Sequence, residues 1–425
     1  MPIAQDLVEQ LQVHKLIYAV RTDNILLVQK LSEKGVKNLV NYNDPQNGLT
    51  ALIAAITQNN TNMIKCLLEL DAHPDVIDFS GRTALMHAAE CGHTTILRLL
   101  RDADANPTIQ DFEGKDAVYY CFTKATEHHK TCLKMLLEMG ANVNNRTQNG
   151  VPNLVHVCNN SVEYEDFCMT LIQAGADVKL IDEKTQRTPL HNACLSGSTK
   201  VVRKLLHAQP DPNALDNKKS TPAHEAAKGG HFQIIRILSG FGAKFDVYDT
   251  LGNNPIHYAV MSNAGTVIRF LGQRGCNPKK PNFEGLSPKQ IANQYRNRDV
   301  QRNLRIAERG YHEMTANLAI DEFLDWRIKL YDYIYENFEC IEKQFEEFDM
   351  VEPKSGIILK DNFKKVLNNE NFLSYLKPYN IKDLCEIHDK NRDEIDYRTF
   401  LTGTKYLPKS YVMATHTKKK KKKNA

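Results

Sequence analysis

The chain has 425 residues, 42% hydrophobic and 25% charged, with a formal net charge of +4. This is a globular composition sized for two or three domains, and it excludes collagen-like, low-complexity and membrane-embedded classes. The six lysines Lys418–Lys423 supply more than the whole net charge, so the body of the chain is near neutral and only its tail is basic.

No run approaches the ~18 apolar residues of a membrane span. The opening MPIAQDLVEQLQVHK lacks the basic start and apolar stretch of a secretory signal. Ten scattered cysteines without a C-x-x-C pair fit reduced thiols in the cytoplasm better than a disulfide framework or a zinc site.

Residues 1–42 read as an irregular first helical pair. Leu7, Leu11, Ile17 and Tyr18 predict one helix and Ile25–Leu31 a second, closed by Gly35. A clearer unit starts near Asp44, with Gly48-Leu49-Thr50-Ala51-Leu52 as turn and helix start and Met63–Leu70 as the second helix. The next repeats it more cleanly through Asp78, Gly81, Thr83-Ala84-Leu85, Ala88-Ala89, Gly92-His93 and Leu99-Leu100. Two weaker units follow. One opens at Asp111-Phe112-Glu113-Gly114, with Tyr119-Tyr120-Cys121 in place of the small pair and a second helix predicted over Cys132–Met139. Its extra residues are placed in a solvated loop at His128-His129. The other runs from Gly150, Pro152 and Leu154 to Gly175-Ala176-Asp177.

The strongest units are 182–215, 216–248 and 249–281. Thr188-Pro189-Leu190-His191 returns 33 positions later as Thr221-Pro222-Ala223-His224, and after a further 33 as Asn254-Pro255-Ile256-His257. Each residue type in this period has a task. Thr caps the free N–H groups of a starting helix, and Pro follows where its missing N–H costs nothing. Ala193, Ala226-Ala227 and Ala259 let helices approach closely. Gly197 and Gly229-Gly230 end the first helix. Val201-Val202, Leu205-Leu206, Ile234-Ile235 and Ile237-Leu238 form the buried stripe of a second helix, and Asp249 with Gly252 makes the turn between units. Several units match in register, and they resemble ankyrin repeats: a turn plus two antiparallel helices stacked into a solenoid.

Gly285-Leu286-Ser287-Pro288 opens a more polar last unit ending near Arg309, as a capping repeat requires. Beyond it the period stops, which predicts a linker at 310–319. Tyr331, Ile334, Phe338, Ile341, Phe345 and Phe348 then predict a long amphipathic helix. Two helix–loop–helix patterns follow, one through Asp349, Gly356, Ile358 and Phe363, the other through Leu384–His388, Asp389–Asp393, Ile395 and Phe400. This pair resembles EF-hands. A calcium loop needs about six oxygen ligands in 12 residues, Gly at the sixth place and a bidentate Glu at the twelfth. Asp389, Asn391 and Asp393 suit the first, third and fifth places, but Glu394 stands where Gly belongs and Thr399 replaces the Glu. The first loop offers Val351 and Pro353 where oxygens belong. No bound metal is therefore expected, with Asp389, Asn391 and Asp393 as the weak calcium candidates. The tail from Thr415 is low-complexity.

Other candidate chemistry has a plainer explanation. His191, His224 and His257 lie on helices ~8–10 Å apart, too far to share zinc at ~2 Å, so they are expected to bond locally around the caps. Cys66, Cys132, Cys168 and Cys194 fall on packing faces and read as core. Trp326, the single tryptophan, reads as a packing anchor. No phosphate loop, G-x-S-x-G or H-E-x-x-H is present, so no enzyme is expected. The lysine tail has no interleaved aromatics to stack bases, which argues against nucleic acid.

The array followed by a degenerate EF-hand pair resembles the family of ankyrin repeat and EF-hand domain-containing proteins over residues 1–411. The resemblance is carried by Asn142-Val143-Asn144-Asn145, Ala226-Ala227-Lys228-Gly229-Gly230, Gln273-Arg274-Gly275-Cys276 and Gly403-Thr404-Lys405-Tyr406-Leu407-Pro408-Lys409-Ser410. Members typically continue into a second ankyrin block, so this chain reads as a short form. The resemblance implies a non-enzymatic protein of ciliated and sperm cells, placed in the axoneme.

The fold class expected is mainly α, an ankyrin-repeat α-solenoid followed by a small helical EF-hand-like domain. Residues 1–309 form the solenoid, of about eight units plus a C-terminal cap. Residues 310–319 are the linker, 320–411 the long helix and degenerate pair, and 412–425 a disordered tail. The expected function is a scaffold or adaptor for protein partners, monomeric before assembly, with neither membrane nor nucleic acid as target; a calcium-responsive regulator is the alternative. Contact candidates by position at the turn tips are Phe79, Arg82, Phe112, Lys115, Asn217, Lys218, Lys219 and Leu251.

Overall fold

The computed structural model describes residues 7–320, 324–349, 354–369, 378–388, 394–403 and 405–407. Val351, Pro353, Asp389, Asn391, Asp393 and the lysine tail fall outside these. The chain divides into two compact units at Pro210/Asp211.

The first unit is a run of helix pairs: α1 (Leu7–Arg21) with α2 (Ile25–Lys34), α3 (Ala51–Thr57) with α4 (Thr61–Glu69), α5 (Ala84–Cys91) with α6 (Thr94–Asp102), α7 (Ala117–Tyr120) with α8 (Glu127–Glu138), α9 (Asn153–Cys158) with α10 (Glu165–Gln173), and α11 (Pro189–Ser196) with α12 (Thr199–His207). Side chains start the helices. Thr50 accepts from the Ile53 N–H at 3.2 Å, Asn60 from Met63 at 3.0 Å and Asp116 from Tyr119 at 2.9 Å, each filling an orphan donor of the first turn. First helices such as Ala51–Ile56 are buried on all sides because neighbours flank them. Second helices bury one stripe only, as Ile96, Leu97 and Leu100 do.

The expected first helix is α1, whose core is Val13, Leu16, Ile17, Ala19 and Val20, with Leu7, Leu11 and Tyr18 on its exposed side. One expectation for this unit is corrected. His128-His129 are helical, not looped. Thr126 caps α8 at Glu127, so the extra residues lengthen the second helix. His129 is buried, and its Nε2–H donates to the Glu90 carbonyl at 3.0 Å.

The second unit continues with α13 (Pro222–Lys228) and α14 (Phe232–Gly240), α15 (Pro255–Met261) and α16 (Gly265–Gln273), then α17 (Pro288–Gln294) and α18 (Arg298–Ile320). Helix α18 has 23 residues and runs through 310–319, so the expected linker is helix. Val300, Leu304, Ala307 and Met314 supply a buried face well past the end of a normal repeat, and the helix follows it. The predicted long helix is two, α19 (Leu324–Glu336) and α20 (Phe338–Phe348), separated at Asn337.

After α20 come strand β1 (Ile357–Leu359), α21 (Lys360–Asn369), α22 (Pro378–His388), strand β2 (Glu394–Asp396) and α23 (Tyr397–Leu401). The strands pair antiparallel, with Ile358 opposite Ile395. Phe345 stacks on Phe363 at 5.5 Å and on Tyr397 at 5.2 Å, and Phe400 meets Phe363 edge-on at 5.0 Å. Trp326 packs half-buried against the same core.

Within this unit α19 lies on α14. Its Asp332 carboxylate accepts from Arg274 Nε at 2.7 Å, from Arg274 Nη2 at 2.5 Å and from the Ser239 hydroxyl, with both ionic partners buried. Glu336 pairs with Arg236 one turn away. Helices meet this closely because residue 240 is glycine: a Cβ there would sit 2.9 Å from the Tyr333 Cα.

Candidate protein-interaction surface

Most repeats present a turn whose tip is held by one buried carboxylate or amide, whereas the tip at Thr147 uses the threonine hydroxyl, which accepts from the Val151 N–H at 3.3 Å. In Asp78 one oxygen accepts from the Ser80 and Arg82 N–H groups at 2.8 and 2.9 Å, and the other from His87 Nε2–H at 2.9 Å. Asp111 does the same with Glu113, Lys115 and the Tyr120 hydroxyl, at 2.9, 2.8 and 2.6 Å. Asp249 uses Leu251, Asn253 and the Tyr258 hydroxyl, at 2.9, 2.8 and 2.5 Å. Asp216 holds Lys218 and Ser220, both at 2.8 Å, and Asn282 takes Glu284 and Leu286 at 3.1 and 2.9 Å. Burial alone would raise the Asp78 carboxyl; the hydrogen bond from His87 and the backbone donors outweigh it and hold the pKa low. The tyrosine hydroxyls at Asp111 and Asp249 are pushed up by burial and then by the carboxylate they bond.

Backbone bonds then tie tip to tip. Phe112 N–H donates to the Ser80 carbonyl at 3.2 Å, Thr250 to Lys218 at 2.9 Å and Phe283 to Leu251 at 2.9 Å. The tips are thus fixed before any partner arrives, which lowers the ordering cost of binding.

Side chains at these tips divide into two groups. Phe79, Phe112 and Leu251 are exposed at 42%, 58% and 55%. Asn217, Lys218 and Lys219 are exposed as well. Arg82 and Lys115, also expected as contacts, are engaged by neighbouring side chains. Arg82 pairs with Glu90 and lies over the Tyr120 ring at 4.3 Å, while Lys115 pairs with Glu113 at 2.5 Å and lies over Tyr119 at 5.0 Å. The aromatic rings that stand in place of the small alanine pair capture these cations, Lys115 within its own repeat and Arg82 from the repeat before.

Phe283 is 80% exposed and was missed among the contact candidates. Its signal is in the sequence: it follows Asn282 as Phe79 follows Asp78 and Phe112 follows Asp111. Its ring lies over the backbone of the preceding tip, where a Cβ on Gly252 would come within 3.0 Å of it.

The periodic histidines serve the helix starts. His191 Nδ1 accepts from the Thr188 N–H at 3.2 Å, His224 Nδ1 from Thr221 at 3.1 Å and His257 Nδ1 from Asn254 at 3.1 Å, completing capping boxes. Burial lowers the His224 pKa and takes that of His257 down to about 4. Among the described residues no group of three or more His, Cys, Asp or Glu side chains is placed to hold a metal, and no helix is long and apolar enough to cross a membrane.

In the first C-terminal loop the described residues turn their polar groups to one another. Asp349 is buried and its carboxylate accepts from the Ser355 hydroxyl at 3.0 Å, the Gly356 N–H at 2.7 Å and the Tyr397 hydroxyl at 3.3 Å. The Lys354 ammonium donates to the Asp349 carbonyl at 2.6 Å, placing a fixed cation beside the first ligand position. In the second unit of the pair, the Thr399 hydroxyl donates to the Asp396 carbonyl at 3.0 Å and offers no carboxylate.

Stacked helix hairpins with locked tips define a helical-repeat interaction protein. A family model described as "Ankyrin repeats (3 copies)" matches residues 16–111, 120–216 and 204–282, and the chain belongs to the ankyrin repeat family. The crystal structure of the human ASB11 ankyrin repeat domain is similar to it at 24% identity and a TM-score of 0.47, covering 53% of this chain and 98% of that one.

Proposed function

We propose that this protein is a scaffold that docks a protein partner on its repeat tips inside a ciliary or axonemal assembly. That the fold is a protein-interaction module follows from the family. The surface is our reading, carried by one observation: four large apolar side chains, Phe79, Phe112, Leu251 and Phe283, stand exposed on tips braced by backbone hydrogen bonds. The location follows only from the sequence resemblance. The paired helix–loop–helix elements with their β1–β2 ladder support an EF-hand-like domain, and the self-satisfied Asp349 favours a structural platform over a calcium switch.

Proximity labelling in ciliated cells tests this, with the wild-type chain beside Phe112→Asp/Leu251→Asp/Phe283→Asp. The expected result is a set of axonemal proteins labelled by the wild type and lost from the variant at equal expression. An identical labelled set from both chains would remove the tips as the docking surface. A wild-type set devoid of axonemal proteins would remove the location.

A further inference from the structure

Helix α18 closes the repeats of the second unit, and its outer face carries a row of arginines. Arg298, Arg302, Arg305 and Arg309 fall at i, i+4, i+7 and i+11. At 3.6 residues per turn they occupy an arc of about 60° and a line of about 16 Å. All four are exposed. None has a carboxylate partner among the described residues, in contrast to Arg236 and Arg274. The opposite face holds Val300, Leu304, Ala307 and Met314, buried against α16, where Gly272 meets Ala307. Asp299, Glu308 and Glu313 flank the row and leave its centre cationic. A capping helix needs a polar outer face, but lysines or mixed charge would serve that need. A row of arginines is instead suited to planar, bidentate recognition of oxyanions.

The same unit shows how such arginines are used. Arg236 of α14 and Arg274, directly after α16, receive Glu336 and Asp332, two carboxylates at i, i+4 spacing on α19. An acidic helix laid on an arginine-bearing helix is therefore a mode this unit already employs within its own chain. We propose that the outer face of α18 is a docking site for an acidic helix of a partner protein, one with carboxylates at i, i+4, i+7 and i+11. Aromatic side chains do not lie between the arginines to stack bases, which disfavours single-stranded nucleic acid. The buried apolar residues of α18 face α16, which leaves them unable to enter a bilayer. This surface goes beyond the tips and stands whether or not they bind.

The test uses the full chain and two labelled alanine-rich helical peptides of equal composition. One carries four glutamates at the stated spacing; the other distributes them around the helix. Fluorescence anisotropy should show tighter binding of the patterned peptide, weakened by at least about tenfold in Arg302→Glu/Arg305→Glu. Binding should be unchanged in Lys218→Glu/Lys219→Glu, which separates this site from the tips. A patterned lysine peptide should bind the reversed variant, a gain that misfolding cannot produce. Equal affinity for the two glutamate peptides, or no loss on reversal, overturns the proposal. Displacement of the patterned peptide by a lower concentration of oligonucleotide or phosphatidylserine vesicles overturns the choice of partner.

Discussion

The repeats and the C-terminal helical pair are held in opposite ways. A repeat is stabilised by many small terms that recur along the array: a cap at Thr188, Thr221 or Asn254, a side-chain oxygen inside the tip, and at several tips a backbone bond to the next. The C-terminal pair has one aromatic core of its own and joins the repeats of its unit through α19, where two ion pairs dominate the polar contacts. In the first case loss is shared; in the second it is concentrated. A repeat can drift to Asp116 and Tyr120 and still fold, whereas the α19 contact has no second copy.

The largest expected effect follows from that concentration. Asp332→Ala leaves the Arg274 guanidinium buried without its carboxylate, and breaking a buried pair costs about 3–5 kcal/mol. Denaturant unfolding should then show an early transition of the C-terminal pair, followed by tryptophan fluorescence, since Trp326 lies in α19. Replacing both partners, as Arg274→Met/Asp332→Leu, should restore most of the loss because no charge is then stranded. If Asp332→Ala unfolds at the wild-type midpoint, the contact is not what joins the two.

The contrast also explains what could be read in advance. Caps, tips and buried stripes depend on residues within a few positions, so Thr-Pro-x-His at a period of 33 reports them directly. The exposed Phe79, Phe112 and Leu251 were legible for the same reason. Arg82 was not, because the ring it lies over, Tyr120, comes from the next, degenerate repeat; Lys115 was not, although Glu113 and Tyr119 lie within four positions, because the period gives no partner role to a ring standing in place of a small residue. Nor was the start of α8, where Thr126 caps outside the period, or the extension of α18. The pairing of Arg274 with Asp332 spans the end of the repeat pattern and leaves no local trace.

Acid acts on both regions through one buried histidine in each, with an intermediate effect. His257 in the repeats and His388 in the C-terminal pair are both lowered to about 4 by burial. At His388 Lys405 adds to the lowering while Asp396 opposes it; at His257 the Leu286 backbone and Asp249 oppose it. The unfolded chain takes up protons near 6.5, so between pH 6.5 and about 4 it binds more than the native state. Stability should therefore be complete above pH 6.5 and fall as pH drops, by up to about 3 kcal/mol for each histidine. Thermal melts across this range should show it, and His388→Gln should remove the dependence of the C-terminal pair while leaving that of the repeats. A flat profile between pH 4 and 6.5 would mean that both rings are solvated.

The smallest effect tests whether loss in the repeats is shared. Thr188→Ala removes the hydroxyl that accepts from the His191 N–H at 3.4 Å and meets His191 Nδ1 at 2.9 Å, while the residue 188 N–H still reaches that ring at 3.2 Å. Loss of a Thr cap costs about 1 kcal/mol. Because the remaining bond keeps the ring seated, the damage should stay in one repeat: faster amide exchange in α11 and unchanged exchange in α15, whose own cap is Asn254. A cost as large as that of Asp332→Ala, or exchange spreading to α15, would show that the repeats act as one brittle element and erase the contrast drawn with α19.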